Sequence, residues 1–261
     1  MNRDSEILWY DFGQQTKQVT IIPLADVHLG AEGSAWQQFY QLIDTIKSEP
    51  DTYVTLQGDL IDNGLKNSVT NVYRATMRPY EQKREMAKAL EPIRDKILCI
   101  IPGNHERRSG KEADADPTYD IAAKLDIEDR YRESIAFIRI GLGKQKNQKP
   151  HSYYLACLHG AAGGGLPGAG VNRNDRYLQA LDGVDILITG HMHKPYALRG
   201  SKMVLDTQNR RATFRPTLHM VAGPWLGYLG YPVDKMLAPT AMPGANRLLL
   251  CGTKYGFEAV I

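Results

Sequence analysis

Five short blocks of the sequence carry side chains that bind metals, and each block begins where an apolar run ends. The blocks are Asp26-Val27-His28, Gly58-Asp59-Leu60-Ile61-Asp62-Asn63, Gly103-Asn104-His105-Glu106, His159-Gly160 and Gly190-His191-Met192-His193. Five of the seven histidines fall in these blocks, and only His151 and His219 lie outside them. In α/β proteins ligands bind where buried strands end. We therefore expect the five blocks to meet in one site.

The residue types in the blocks indicate a metal centre. In an extended segment residues i and i+2 point to the same side, so each Asp-x-His or His-x-His pair presents two donors to one point. No cysteine belongs to a block, and imidazole, carboxylate and amide donors suit Mn, Fe, Zn, Ni or Co better than a thiolate-selected ion. The predicted ligands are Asp26, His28, Asp59, Asn104, His159, His191 and His193. Seven ligands exceed one tetrahedral site and predict two divalent ions sharing a carboxylate, with manganese preferred.

In order along the chain, the blocks read D-x-H, G-D-x-x-D, G-N-H-E, H and G-H-x-H, and in this the sequence resembles the calcineurin-like metallophosphoesterases. The resemblance spans residues 26–193 and implies an α/β fold of two facing mixed β-sheets flanked by helices. It also implies how the ligands are shared. One ion would take Asp26, His28 and His193, the other Asn104, His159 and His191, with Asp59 bridging. His105 and Asp62 would be the catalytic pair that handles the leaving group.

The resemblance implies a hydrolase of phosphoesters, and the details of the motifs indicate which class of phosphoester is the substrate. Leu29 and Gly30 complete a D-x-H-L-G opening similar to that of nuclease subunits, whereas the protein phosphatase pattern G-D-x-V-D-R-G is absent. We expect a phosphodiesterase for nucleic acid or nucleotides, with Asn63, Arg107 and Arg108 as candidate substrate contacts. A phosphomonoesterase and a catalytically silent scaffold for protein partners remain the alternatives.

The elements that position these blocks follow from hydrophobic periodicity. Short apolar runs alternate with helical patterns, which is typical of strands joined by helices. Helices are predicted after Ser34, from Pro79 to about residue 95, over 117–125 and over 175–181; residues 107–116 and the glycine-rich stretch 159–170 are predicted loops. The short runs beyond Pro195 predict a second, more antiparallel sheet.

Length and composition limit the number of domains and the classes of protein to which the chain could belong. At 261 residues, with 43% hydrophobic and 23% charged residues, the chain is predicted to be a single domain, 1–261. A formal charge of +3 does not by itself indicate nucleic-acid binding. No apolar run approaches the length of a membrane helix, and the N-terminus lacks a signal-peptide pattern. Three widely spaced cysteines in apolar runs indicate a reducing compartment, so we expect a cytoplasmic protein.

Overall fold

A computed structural model describes residues 3–66, 68, 72–146, 148–161, 167–227 and 242–261. The strands are β1 Ile7–Asp11, β2 Gln18–Leu24, β3 Thr52–Leu56, β4 Ile97–Ile100, β5 Ala136–Leu142, β6 His151–Cys157, β7 Ile186–Thr189, β8 Tyr196–Asp206, β9 Arg211–Val221, β10 Arg247–Cys251 and β11 Phe257–Val260. The α-helices are α1 Trp36–Ser48, α2 Pro79–Leu90, α3 Arg107–Ala113, α4 Pro117–Lys124 and α5 Pro167–Ala180. Short 3₁₀ helices lie at Arg3–Ser5, Val72–Arg74, Glu91–Lys96 and Glu128–Arg130.

The strands form two mixed sheets that face each other, which confirms the predicted fold. One sheet has the order β1-β5-β6-β7-β9-β8 and the other β11-β10-β2-β3-β4. β2, β3 and β4 are mutually parallel, and β6 is parallel to β7. The carboxyl ends of parallel neighbours lie at the same edge of a sheet, so each sheet presents several loops at one end.

Apolar side chains from both sheets fill the space between them. Ile21, Cys99, Ile138, Leu155 and Ile186 belong to this buried core. A second buried cluster joins the outer face of the five-stranded sheet to α1, α2 and α4, and a smaller one joins α5 to the outer face of the six-stranded sheet. Within the described residues, no helix combines the length and the apolar character needed to cross a membrane.

The predicted helices form where the periodicity placed them. In α1 the buried residues Phe39, Ile43 and Ile46 recur at spacings of four and three, which places one stripe against the sheet. α2 begins at Pro79 as predicted, because proline needs no hydrogen-bond acceptor in the first turn. α5 begins earlier than predicted, at Pro167, and residues 162–166 of the predicted glycine-rich loop lie outside the described residues.

Two expectations are wrong. Much of the predicted loop 107–116 is helix α3. Ser109 is the one buried residue in that helix, so the sequence has no apolar stripe from which the helix could be predicted. The late strands also do not form a sheet of their own. β8 and β9 complete the six-stranded sheet, whereas β10 and β11 extend the five-stranded one in antiparallel fashion.

Candidate metal centre

The motif loops converge at the carboxyl ends of five strands, three of them mutually parallel in one sheet and two in the other. The loops after β2, β3 and β4 carry Asp26, Asp59 and Asn104, and the loops after β6 and β7 carry His159 and His191. The first three belong to one sheet and the last two to the facing sheet. The site therefore lies across the top of the sandwich, with each sheet supplying part of the ligand set.

One group of donors comprises Asp26, His28 and His193. Nε2 of His28 lies 3.2 Å from Nε2 of His193, which in turn lies 3.3 Å from Oδ1 of Asp26. The other carboxylate oxygen of Asp26 accepts a hydrogen bond of 2.7 Å from the backbone N–H of His191. One aspartate thus orients a ligand of its own group and the loop that carries the second histidine pair.

A second group comprises Asp59, His159 and His191, with Asn104 beside it. Nε2 of His159 lies 3.0 Å from Nδ1 of His191, 2.9 Å from Oδ1 of Asn104 and 3.4 Å from Oδ2 of Asp59. The same Asp59 oxygen is 3.8 Å from Nε2 of His28 in the first group. Asp59 stands between the groups, where a bridging carboxylate would stand.

The donor spacing fits divalent metals. Metal–nitrogen and metal–oxygen bonds of about 2.0 to 2.2 Å place adjacent ligands about 3 Å apart, and the spacings within each group are close to this. The two Nε2 atoms of His28 and His193 lie 3.2 Å apart, a separation that suits either a hydrogen bond between the rings or two nitrogen ligands of one ion. The donor set and the family reported below indicate a binuclear divalent metal site.

The pKa shifts reflect the close packing of these charged groups. Burial opposes ionisation of Asp59 and protonation of His159, yet their mutual attraction holds the pKa of Asp59 well below its usual value and raises that of His159 to about 9. Asp26 and His193 form a second such pair, in which the pKa of Asp26 is lowered and that of His193 is raised. Burial, together with the charge of His105, lowers the pKa of His28 to about 3. Metal binding would displace the protons on His159 and His193, so it is coupled to pH.

The backbone that carries the ligands differs from the predicted extended segment. Five predicted ligands have φ in the left-handed region: Asp26 at 56°, His28 at 47°, Asp59 at 50°, His191 at 65° and His193 at 53°. Such angles are uncommon outside glycine and cluster at functional sites. Left-handed turns, rather than strand alternation, bring the i and i+2 donors together.

Two motif glycines permit the close approach of neighbouring loops. Gly58 has φ of 80°, and a Cβ there would lie 2.1 Å from the backbone nitrogen of Gly103. A Cβ on Gly103 would lie 2.1 Å from Oδ1 of Asp59. A side chain at Gly58 would therefore force the backbone at Gly103 away, and a side chain at Gly103 would displace Asp59.

The predicted catalytic pair, His105 and Asp62, is in contact. Nδ1 of His105 lies 2.8 Å from the backbone oxygen of Asp62 and 3.3 Å from its Oδ1. These acceptors assign the Nδ1–H tautomer, which leaves Nε2 facing the cluster, 3.8 Å from Oδ2 of Asp59. Burial is the largest single influence and would lower the pKa of His105, but the hydrogen bonds to Asp62 and the charge of Asp59 together outweigh it and raise that pKa. The catalytic roles remain predictions that this geometry permits.

The three candidate substrate residues have different surroundings. The amide of Asn63 is buried and donates to the backbone oxygen of His105 at 2.7 Å and to Oγ of Ser109 at 3.0 Å, so its contacts are internal. The guanidinium of Arg107 donates to the backbone oxygen of Glu133. Arg108 donates to the backbone oxygen of Asp62 at 3.3 Å and is thus held beside the catalytic pair. The substrate roles of all three remain predictions.

Sequence reasoning missed the structural role of Glu106. Its carboxylate is 1% exposed and accepts backbone hydrogen bonds from Gly103 at 2.8 Å, Asp59 at 2.9 Å and Ile61 at 3.1 Å. It therefore clamps the loop that carries Asp59 to the loop that carries Asn104 and His105. Burial and the nearby charge of Asp59 raise its pKa. The only sequence signal was its position directly after Asn104 and His105, two residues assigned to the site.

Three solved structures align with most of this chain. The zinc complex of Vps29 from Entamoeba histolytica aligns over 93% of this chain and 98% of its own, at 15% identity and a TM-score of 0.43. A predicted phosphoesterase from Streptococcus pneumoniae TIGR4 aligns over 94% and 90%, at 13% identity and a TM-score of 0.40. The calcineurin-like phosphoesterase YfkN from Bacillus subtilis aligns over 93% and 88%, at 12% identity and a TM-score of 0.37.

No curated protein matches the chain. The family model for calcineurin-like phosphoesterases matches residues 19–195, which contain all five motif blocks and well over half of the sequence. The chain belongs to the calcineurin-like phosphoesterase family.

Proposed function

We propose that this protein hydrolyses phosphodiesters in nucleic acid or nucleotides. Membership of the calcineurin-like phosphoesterase family supports a metal-dependent phosphoester hydrolase, without specifying the class of phosphoester. Manganese as the native metal and a cytoplasmic location are parts of the proposal that rest on the sequence alone. The preference for diesters rests on one structural observation, the surface beside the metal-ligand loops.

That surface is the exposed segment between β3 and α2. The backbone N–H of Thr76 donates to the oxygen of Gly30 at 2.9 Å, which anchors the segment two residues beyond His28. Next to this anchor, Tyr73 is 95% exposed, and Arg74 and Arg78 are also exposed. Exposed aromatic rings stack on bases, and arginines pair with phosphates. A polynucleotide held at the metal centre would extend over this surface, whereas a small monoester would not reach it.

The chain's own residues have assignable roles in hydrolysis. Two bound divalent ions would supply an activated water and neutralise charge on the phosphoryl oxygens. As the imidazolium, which its raised pKa favours, His105 would give its Nε2 proton to the leaving oxygen and become the neutral Nδ1–H imidazole, while Asp62 holds the ring by that Nδ1–H. Arg108, held at Asp62, adds positive charge near the same point. Glu106 keeps the two ligand loops in register.

The first experiment measures cleavage of bis(p-nitrophenyl) phosphate by manganese-loaded protein. We expect cleavage by the wild type, loss of it in Asp59→Asn, and unchanged cleavage in Asp44→Asn, which alters an exposed aspartate of α1. A panel of p-nitrophenyl phosphate, its diester, cyclic nucleotides and single- and double-stranded DNA and RNA then ranks the substrates. Faster turnover of monoesters than of every diester would contradict the proposal.

The surface is tested separately with Tyr73→Ala and Arg74→Ala. Both variants should raise KM for single-stranded DNA or RNA and leave the small diester unaffected, and Tyr119→Ala on α4 serves as the aromatic control. Fully loaded protein that cleaves no phosphoester, yet binds a protein partner equally well in Asp59→Asn, would instead favour the scaffold alternative.

A further inference from the structure

The six-stranded sheet ends in a long exposed edge strand, β8. The other edge strands, β1, β4 and β11, have five, four and four residues, whereas β8 has eleven. All eleven pair with β9 in continuous register without a bulge, and β8 contains no proline. Proteins usually protect their sheet edges with short strands, bulges, prolines or several charges. β8 has charged residues only at Arg199, Lys202 and Asp206 and none of the other protections, and within the described residues no strand pairs with its outer side, so the backbone groups there are available to another strand.

Much of this strand lies in a ribbon that projects beyond the sheet. β7 pairs with β9 only at residues 218–221, so residues 211–217 of β9 pair with β8 alone. We call residues 200–206 and 211–217 the distal ribbon. A two-stranded ribbon is marginally stable in water without further packing.

One face of the distal ribbon is apolar and exposed. Met203 lies opposite Phe214, so the two side chains share a face, and Leu205 is on the same face two residues along. Their exposed fractions are 66%, 70% and 74%, among the highest for large apolar residues in the described chain. This face lies on the same side of the six-stranded sheet as the core between the two sheets. At the distal ribbon, however, the described residues of the facing sheet do not cover it.

The opposite face carries complementary charges. Lys202 directs Nζ to the backbone oxygens of Leu178 at 2.7 Å and Leu181 at 2.5 Å, which uses two of its three donors. Asp206 lies four residues further on the same face. An antiparallel pair of β8 strands centred on Val204 puts Lys202 opposite Asp206 of the other copy, and Met203 opposite Leu205. Centres at Met203 or Leu205 would place both charges opposite neutral residues.

We infer that two copies of this chain pair through antiparallel β8 strands about a two-fold axis at Val204. The pairing joins the two six-stranded sheets into one of twelve strands and brings the apolar faces of both distal ribbons together. It goes beyond the proposed function and does not depend on it. At about 3.3 Å per residue, Tyr196 at the start of β8 lies about 26 Å from the axis, and His193 precedes it by three residues, so the two metal centres lie on opposite sides of the axis.

Sedimentation equilibrium of the full chain tests the inference. We expect the wild type to be a dimer and Lys202→Glu and Asp206→Lys each to weaken dimerisation by about tenfold or more, because each puts like charges together twice in the symmetric dimer. Mixing the two variants should restore a heterodimer, because both cross-strand pairs are then opposite in charge. Glu258→Lys, which reverses an exposed charge on edge strand β11, is the matched control and should remain dimeric.

Circular dichroism of each variant separates lost pairing from lost folding, and recovery in the mixture requires both to be folded. A wild type that is monomeric throughout the micromolar range overturns the inference. So does a dimer that both charge reversals leave unchanged, or a mixture that stays monomeric. None of these outcomes bears on phosphoester hydrolysis, which is measured with bis(p-nitrophenyl) phosphate.

Discussion

Replacing Glu106 with glutamine should lower the free energy of unfolding and weaken metal binding. Oε2 of Glu106 accepts from Asp59 and Gly103, and Oε1 accepts from Ile61. A glutamine oxygen could keep the first two bonds, but its NH₂ group would then face the N–H of Ile61 at about 3 Å. Two donors would oppose each other in a fully buried place.

The magnitude follows from these contacts. A stranded buried N–H costs about 1 to 3 kcal/mol, and two hydrogen bonds that lose a charged acceptor each weaken by about 1 kcal/mol. Removing a buried carboxylate beside Asp59 offsets part of this, as the raised pKa of Glu106 indicates. We expect the unfolding free energy to fall by about 2 to 4 kcal/mol. Loosened support of metal ligands usually lowers metal affinity or turnover about 10- to 100-fold.

Urea unfolding, calorimetric manganese titration and diester hydrolysis measure the three effects. Glu112→Gln, at an exposed position of α3, is the matched control and should leave all three unchanged. If Glu106→Gln unfolds within about 0.5 kcal/mol of the wild type and binds manganese equally well, the clamp assigned to Glu106 is refuted. That threshold is the usual range for a neutral surface change.

Three further predictions concern protons and metal. His105→Ala should lower kcat about 10²- to 10⁴-fold for a diester with a poor alkoxide leaving group but much less for p-nitrophenolate, which needs no proton; equal losses would remove the general-acid role. Burial lowers the pKa of His219 to about 4. As the pH falls from 7.5 to 5.0, this histidine therefore takes up a proton in the unfolded chain but not in the native protein, and the free energy of unfolding decreases. Between these pH values, urea unfolding in chelator should show a loss of unfolding free energy about 2 kcal/mol larger in the wild type than in His219→Asn, in which the other buried histidines still titrate. Chelation should lower the Tm of the wild type and leave that of Asp59→Asn nearly unchanged, because the variant holds little metal; equal shifts would contradict a bridging Asp59.

The sequence predicts the convergence of the candidate ligands better than it predicts the elements around them. Each ligand block follows a buried strand, and the ends of parallel strands converge whatever the order of the strands in the sheet. Sheet membership is non-local, however. Nothing in the short runs after Pro195 says that β8 and β9 join the first sheet and β10 and β11 the second.

Elements without an apolar stripe also escaped prediction. β1 was missed because Ile7, Leu8, Trp9 and Tyr10 are apolar or aromatic on both faces, so no alternation marks a strand. α3 was missed because it is held by hydrogen bonds between loops, such as that of Asn63 to Ser109, rather than by burial. The role of Glu106 depends on its burial, which its polar neighbours in the sequence do not suggest.

The left-handed turns under the metal ligands have an evolutionary consequence. At about 1 kcal/mol for each non-glycine residue, the five strained ligands cost about 5 kcal/mol, comparable with the entire net stability of many domains. Glycine at any of these positions would recover part of that energy. A gene copy released from selection for hydrolysis would therefore gain robustness by discarding its ligands, and its descendants would keep the sandwich long after the chemistry had gone.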